Sequence, residues 1–241
     1  MIDRDRLRNC AAAYNVSLDE AAAEKLELYA RLLVQWNERM NLTAITDPEG
    51  ILRKHFVDSL TALPHLPAGP CRLIDVGTGA GFPGVPLAVV RGDLQLTLLD
   101  SLNKRLVFLR ELCAALELPV TLIHARAEEG GRQPALREQF DVATARAVAA
   151  LPVLAEYCLP FVKQGGRFIA MKGPEGEAEA AAAAKAVARL GGAPAKVHTV
   201  LLPVPPDGEA AEERRLLVID KIAATPSAYP RPSAKIARQP L

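Results

Sequence analysis

Hydrophobic positions along the chain fall into two regimes. Before residue 66 they recur at steps of three and four. Leu18, Ala22, Leu26, Tyr29, Leu33, Trp36 and Met40 share one face of a helix, and Leu52, Phe56, Leu60 and Leu63 continue the stripe in a second. Ser17-Leu18-Asp19-Glu20 reads as a capping box opening the first helix, and Asp47-Pro48 as an N-cap with proline at the first helical position of the second. Pro64, Pro67, Gly69 and Pro70 then break the pattern. From Cys71 onward, short apolar runs alternate with helical segments, the pattern of a parallel sheet with crossover helices. It predicts strands at 72–76, 94–99, 120–124, 140–144 and 167–171, with helices at 85–90, 104–116, 151–159 and 177–190. Two further runs, 196–202 and 215–221, are joined by a polar loop at 205–213 too short for a helix, so they are expected to pair antiparallel as a hairpin. The fold class is therefore α/β, a seven-stranded sheet with an antiparallel terminal hairpin and an N-terminal helical extension.

Composition supports one substantial core. The 241 residues are 50% hydrophobic and 24% charged, outside the range of disordered, collagen-like and coiled-coil chains. The expected division is a helical extension over 1–66, a sheet domain over 67–224 and a basic tail over 225–241. Lys and Arg number 29 against 28 Asp and Glu, a formal charge of +1, so a nucleic-acid partner would have to be held by local patches. The opening Met-Ile-Asp-Arg-Asp-Arg leads into no apolar run of membrane-spanning length, which points to a cytoplasmic protein with no signal peptide and no membrane partner. Cys10, Cys71, Cys113 and Cys158 are scattered without a Cys-x-x-Cys pair and are expected to be reduced, buried thiols with no metal site. The Ala/Glu run from Glu177 to Ala184 reads as a solvated helix surface.

The candidate chemistry gathers at the carboxyl ends of the expected strands. The first strand ends in Asp75-Val76-Gly77-Thr78-Gly79-Ala80-Gly81-Phe82-Pro83-Gly84, a glycine turn opening a helix, where backbone can approach a ligand. Asp75, Gly77, Thr78 and Gly79 are the candidate contacts. A carboxylate at Asp75 would oppose a pyrophosphate but suits an ammonium group, and Asp100, closing the second strand, is placed to accept ribose hydroxyls. The spacing Gly-x-Gly-x-Gly and the terminal hairpin favour S-adenosylmethionine, which carries an ammonium, a sulfonium and no phosphate, over NAD. Arg126-Ala127-Glu128-Glu129 follows the third strand, where an adenine ring would rest. Arg126, Arg146 and Lys172, after the third, fourth and fifth strands, are expected to converge on one cleft and to hold an anionic acceptor such as RNA. Spacing alone equally allows Arg146 to be an ion-pair partner of Asp141 or Glu156. His55, Asp58 and Ser59 lie within one helical turn, cannot form a nucleophile, base and orienter relay, and are expected to cap or pack the helix beneath the glycine loop. His65, His124 and His198 read as isolated surface or packing residues.

Taken in order, Trp36-Asn37, Asn41-Leu42-Thr43, His55-Phe56-Val57-Asp58-Ser59-Leu60, Asp75 through Gly84, Asp100-Ser101-Leu102-Asn103-Lys104-Arg105, Arg126-Ala127-Glu128, Arg146-Ala147, Met171-Lys172-Gly173 and Tyr229-Pro230-Arg231 resemble the bacterial small-subunit ribosomal RNA methyltransferase G family, also called glucose-inhibited division protein B. The resemblance runs from about Leu26 to the C-terminus. It implies a class I, Rossmann-like methyltransferase fold with S-adenosylmethionine as donor. It also implies methylation at N7 of one guanosine of 16S rRNA near the decoding site, position 527; the RNA is expected as naked 16S rRNA or within the 30S subunit, the protein as a monomer, and no metal is expected. The donor-binding positions it implies are Gly77, Phe82, Ala127, Glu128 and Arg146, and Arg231 joins Arg126, Arg146 and Lys172 as an RNA-binding candidate. The tail departs from the family pattern: after Tyr-Pro-Arg, where relatives often carry a second basic residue and Gly-x-Pro, Pro232, Ala234 and Ile236 stand, although Arg231, Lys235 and Arg238 keep it basic. Guanine N7 offers an in-plane lone pair and has no proton to lose, so orientation and desolvation suffice and no residue is assigned as a general base. From the residues alone, an rRNA methyltransferase, a small-molecule methyltransferase and a nonenzymatic S-adenosylmethionine-binding module all stay open.

Overall fold

The computed structural model describes residues 1–205, 208 and 210–241. Its seven strands, β1 (Cys71–Val76), β2 (Leu94–Asp100), β3 (Val120–His124), β4 (Phe140–Arg146), β5 (Val162–Lys172), β6 (Lys196–Leu201) and β7 (Glu213–Asp220), form one sheet in the order β3-β2-β1-β4-β5-β7-β6. The first five are parallel, and β7 runs antiparallel to both β5 and β6, so the expected hairpin is present with β7 as its inner strand. Pro206, Asp207 and Glu209 of the expected 205–213 loop lie outside the described residues. Strand order reverses between β1 and β4, the switch point where open α/β sheets take their ligands.

The N-terminal helices, α1 (Arg4–Ala12) and α2 (Glu20–Met40), cover one face of this sheet. Ala22, Leu26, Tyr29 and Leu33 of α2 are buried as their spacing requires, while Trp36 and Met40 are half-buried at the far end. The capping box is displaced: Asp19, not Ser17, is the N-cap, its Oδ1 2.7 Å from the Ala22 amide. A carboxylate at that place is attracted to the helix N-terminus more strongly than a hydroxyl. Asp47 caps as expected, with Oδ1 2.6 Å from the Gly50 amide, but the second helix is irregular. Between α3 (Pro48–Gly50) and α4 (Asp58–Leu60) the stretch Ile51–Val57 is π-helical, the Asp58 amide reaching back to the Arg53 carbonyl. All of its residues except Lys54 are buried.

Alternation along the strands divides the core between the two faces. Leu73, Leu98, Val142 and Ile169 join the N-terminal helices, α5 (Gly84–Val90) and α6 (Asn103–Ala115) in one cluster. Ile74, Leu99, Ala143 and Phe168 form the other, beyond α7 (Ala127–Gly130), with α8 (Leu151–Cys158) and α10 (Ala184–Arg189). The expected helix over 177–190 is broken at Ala183 into α9 (Gly176–Ala182) and α10, and Ala183 itself is buried in that second cluster. All four cysteines are free and buried. No helix among the described residues is long and apolar enough to cross a membrane, and among them no group of three or more His, Cys, Asp or Glu is placed to hold a metal ion.

The tail is packed against the sheet domain. Buried Lys221 donates to Leu159 O (2.8 Å), Val162 O (3.1 Å), Thr225 Oγ1 (2.7 Å) and Glu138 Oε1 (3.2 Å); burial lowers its ammonium to about 8, against the pull of Glu138. Arg137 donates to the carbonyls of Thr225 and Tyr229 at 2.6 and 2.8 Å. Glu156 of α8, 0% exposed, accepts from Arg231 through its backbone amide (2.7 Å), Nε (2.9 Å) and Nη2 (2.6 Å), and Ile236 of α11 (Ser233–Arg238) is buried. Arg231, expected to meet RNA, is therefore the tail's anchor: a carboxylate at full burial keeps its charge only if a cation is brought to it. Lys235 and Arg238 remain exposed. Arg231→Met should cost about 3–5 kcal/mol in denaturant unfolding by stranding Glu156, and adding Glu156→Leu should recover most of that loss.

Candidate functional site

The glycine loop is built around a buried carboxylate. Asp75 is 0% exposed. Its Oδ2 accepts from Thr78 Oγ1 at 2.6 Å and from the Gly84 amide at 3.1 Å, and its Oδ1 from Thr144 Oγ1 at 3.1 Å. Burial raises its carboxyl to about 6, against the lowering effect of these three donors. Asp75, expected to face an ammonium group, is thus enclosed by the loop it shapes, and Thr78, 2% exposed, is committed to the same network. Two glycines in the loop are obligatory. Gly77 has φ +68° and a Cβ there would come within 2.9 Å of Val148; Gly81 has φ +101° and a Cβ would meet Tyr29 Oη at 2.7 Å. Tyr29 itself donates its hydroxyl to the Ala80 carbonyl and stacks on Phe82, ring centroids 5.1 Å apart.

Two cavities open at the carboxyl edge of the sheet, one on each side of the segment Arg146-Ala147-Val148. The first is a cleft lined by Val76, Gly77, Leu99, Ser101, Arg126, Ala127, Glu128 and Val148, with Tyr157 and Ser233 of the tail completing its wall. Asp100 lies between two of these lining residues, accepting from the Gly79 amide (2.9 Å, Oδ2) and the Leu102 amide (2.9 Å, Oδ1), with Arg105 Nη1 at 3.2 Å. Asp100 is 1% exposed and both its oxygens are engaged, so a ligand hydroxyl would reach it by displacing Arg105, the longest of these contacts. Glu128 is buried in the first turn of α7, and no described residue engages its carboxylate.

The second cavity, about 330 Å³, is lined by Lys54, His55, Asp58, Arg146, Ala147, Lys172, Arg214 and Arg215, with Ile45, Met171, Gly173 and Leu216. Its arginines and lysines are balanced by acids. Arg146 Nη1 lies 2.8 Å from Asp58 Oδ2 and 3.0 Å from the Lys54 carbonyl, Lys54 pairs with Glu212 at 2.7 Å, and Lys172 pairs with Glu179 at 2.8 Å and donates to the Ala149 carbonyl. Arg146 is an ion-pair partner, as its spacing allowed, but of Asp58; Asp141 binds Lys163 and Glu156 binds Arg231. The three cations expected in one cleft are divided, Arg126 on the first cavity and Arg146 and Lys172 on the second. Glu179 of the Ala/Glu run, expected to be mere solvated surface, holds Lys172 and accepts from the Leu151 amide at 2.7 Å.

Phe82 lies buried between the N-terminal helices and this cavity. His55 stacks on it at 4.5 Å and the Arg146 guanidinium covers it at 4.9 Å. His55 and Asp58 therefore belong to the site itself, while Ser59 does pack the helix, its hydroxyl 2.5 Å from the His55 carbonyl. Lys54, Arg214 and Arg215 were not singled out by sequence, yet the signal existed: β7 runs antiparallel, so its first residues fall at the carboxyl edge of β5. His65 and His198, expected to be isolated, face each other with ring centroids 4.4 Å apart, and His124 Nε2 lies 3.1 Å from the Ser101 carbonyl.

The His55 ring contacts Thr43 Oγ1 through Nε2 at 2.8 Å and Arg146 Nη2 through Nδ1 at 3.3 Å. Burial, reinforced by the Arg146 charge, lowers its imidazole to about 4. The unfolded chain takes up this proton first, near 6.5, so His55 withdraws stability as pH falls from about 6.5 to about 4, up to roughly 3 kcal/mol. Asp75 works in the opposite sense, its raised carboxyl favouring the folded state as pH falls through about 6. The difference between His55→Gln and the parent isolates the histidine: denaturant unfolding at pH 4 and pH 7 should show a flatter acid limb in the variant.

The family model described as rRNA small subunit methyltransferase G matches residues 22–204. The ribosomal RNA small subunit methyltransferase G of Acetivibrio thermocellus is 47% identical over 232 residues, covering 96% of this chain and 93% of that protein. The protein of the same name from an Exiguobacterium species is 48% identical over 231 residues, covering 95% of each. Among solved structures, a SAM-dependent O-methyltransferase from Thermotoga maritima superposes with a TM-score of 0.55 at 19% identity, over 80% of this chain and 72% of that one. A methyltransferase from Pyrococcus furiosus gives a TM-score of 0.55 at 16% identity, over 83% and 98%. These two share the fold alone, whereas the relatives share the sequence almost end to end. The chain belongs to the rRNA small subunit methyltransferase G family.

Proposed function

We infer that the protein transfers a methyl group from S-adenosylmethionine to small-subunit ribosomal RNA, and we propose N7 of a guanosine as the acceptor atom, in the 30S subunit, with the protein acting as a monomer. The observation that carries the reading is the pair of cavities meeting at Arg146-Ala147-Val148: a cleft lined by Glu128 and Arg126 among apolar and small residues on one side, a cavity rich in cations on the other. The first suits the donor. Gly77, Ala127 and Glu128 line it, Asp100 and Gly79 border it, and its acids would repel a pyrophosphate while tolerating the uncharged adenosine and the cationic groups of S-adenosylmethionine. Bound there, S-adenosylmethionine supplies a sulfonium-activated methyl group. Asp75 and Thr78 act by fixing the loop, Phe82 by supporting it from beneath.

The second cavity orients the acceptor. Arg146 links the two, held by Asp58 and seated on Phe82. His55 stays neutral at physiological pH and its ring nitrogens are engaged, and N7 requires no deprotonation, so the residues here position the base and exclude water. The reading is tested with tritiated donor offered to 30S subunits, naked 16S rRNA and a pool of small metabolites. Label in the metabolites alone would make the enzyme a small-molecule methyltransferase, and donor binding without transfer would make it a binding module.

Asp100→Ala should weaken donor binding by about 2–4 kcal/mol through loss of charge-assisted bonds, measured by calorimetry, and NAD should fail to displace S-adenosylhomocysteine. Arg146→Ala should cost about 3–5 kcal/mol of stability because Asp58 loses its partner. On the fraction that stays folded it should also lower donor affinity and initial rate together. A stability loss with normal affinity and rate would make Arg146 a structural residue only.

A further inference from the structure

Two residues lining the cationic cavity each carry a buried side-chain atom without a hydrogen-bond partner among the described residues: Asp58 Oδ1 and Arg215 Nε. The Asp58 side chain is 6% exposed. Its Oδ2 is held by Arg146 at 2.8 Å, while the cation nearest Oδ1, Arg214 Nε, stays at 3.7 Å. The Arg215 side chain is 13% exposed and pairs with Glu213 through Nη1 at 2.7 Å, which leaves Nε without an acceptor. A buried acceptor and a buried donor left open in one cavity are each unfavourable in the free protein, and both are relieved by a single guest presenting one group of each kind.

We propose that Asp58 and Arg215 read the edge of the acceptor base and select guanine, Asp58 Oδ1 accepting from the 2-amino group and Arg215 Nε donating to O6. This rests on the reading that the cavity receives a ribonucleotide of the RNA substrate. Guanine alone among the four bases has an oxygen acceptor on the same edge as two adjacent donors, N1–H and the 2-amino group. Adenine would turn a bare ring nitrogen or a C–H toward the carboxylate, uracil has no amino group to give it, and cytosine, which carries an amino group and an oxygen, has no N7 to present to the donor. The ion pair with Arg146 holds the Asp58 side chain in place, so the open oxygen is preorganised. N7 lies on a different edge of the purine and is left to face the donor cleft across Ala147 and Val148. A site whose buried groups demand a partner rejects the analogue lacking it far more strongly than a site built on apolar contact.

The test maps the methylated position with the parent protein, then replaces that guanosine by inosine, which lacks only the 2-amino group, or by 2-aminopurine riboside, which lacks O6 and the N1 proton. For the parent, kcat/KM should fall roughly ten- to a hundredfold on each analogue. Asp58→Asn should be slower on guanosine, and its guanosine-to-inosine ratio should collapse toward one; Arg215→Met should flatten the guanosine-to-2-aminopurine ratio instead. Melting temperature and donor affinity are recorded for both variants, but a merely structural role would leave these ratios where the parent has them. The analogue comparison on the parent needs no variant to fold. Equal rates on guanosine and inosine, or an Asp58→Asn enzyme that still discriminates, would overturn the proposal. Transfer by the parent to no RNA at all would overturn the reading beneath it, and this one with it.

Discussion

Asp75 has no water around it, and its charge is stabilised by donors from three different segments: a hydroxyl inside the glycine loop, an amide at the start of α5 and a hydroxyl on β4. Removing a carboxylate from water is costly, and these donors offset part of that cost only when all three segments stand where the structure places them. That constraint fixes the curvature of the loop. The curvature brings Gly79 within hydrogen-bond reach of Asp100 and presses Gly77 against Val148. The sheet edge, the loop and the partition between the two cavities therefore depend on one group that lines neither of them.

A second chain of contacts ties the N-terminal helices to this edge. Tyr29 of α2 supports Phe82, His55 stacks on the same ring, and Arg146 covers it while pairing with Asp58. Fold and site share residues here, since the helices that bury the Leu73 and Leu98 face of the sheet also deliver His55 and Asp58 to the cavity. The π-helical turn between α3 and α4 precedes Asp58 directly. Such turns recur at functional sites because they re-aim side chains that a regular ladder would place elsewhere.

Most of the sheet was legible in the sequence because each strand is a short apolar run bounded by turn residues, and Asp100 was legible because its place at a strand end is a matter of counting. Partnerships across the chain were not. Asp58 and Arg146 are far apart in sequence, and nothing local marks them as a pair. Lys172 looked like a free cation because Glu179 sits in a run that composition alone reads as solvated surface. Arg231 was named an RNA contact by resemblance, and its partnership with Glu156 was not legible because the burial of that carboxylate is a property of α8. The enclosure of Asp75 was hidden for the same reason: Thr144, one of its donors, lies on another strand.

Ser233 and Tyr157 both line the first cleft, one from a tail held by Arg231 and the other from α8, which supplies Glu156. The consequence concerns the order of synthesis. The sheet domain leaves the ribosome before residues 225–241 do, so β1 to β5 and their glycine loop can assemble while the cleft still lacks one wall. A chain in which Arg231 has not yet reached Glu156 has its glycine loop but lacks the wall that Ser233 gives the cleft.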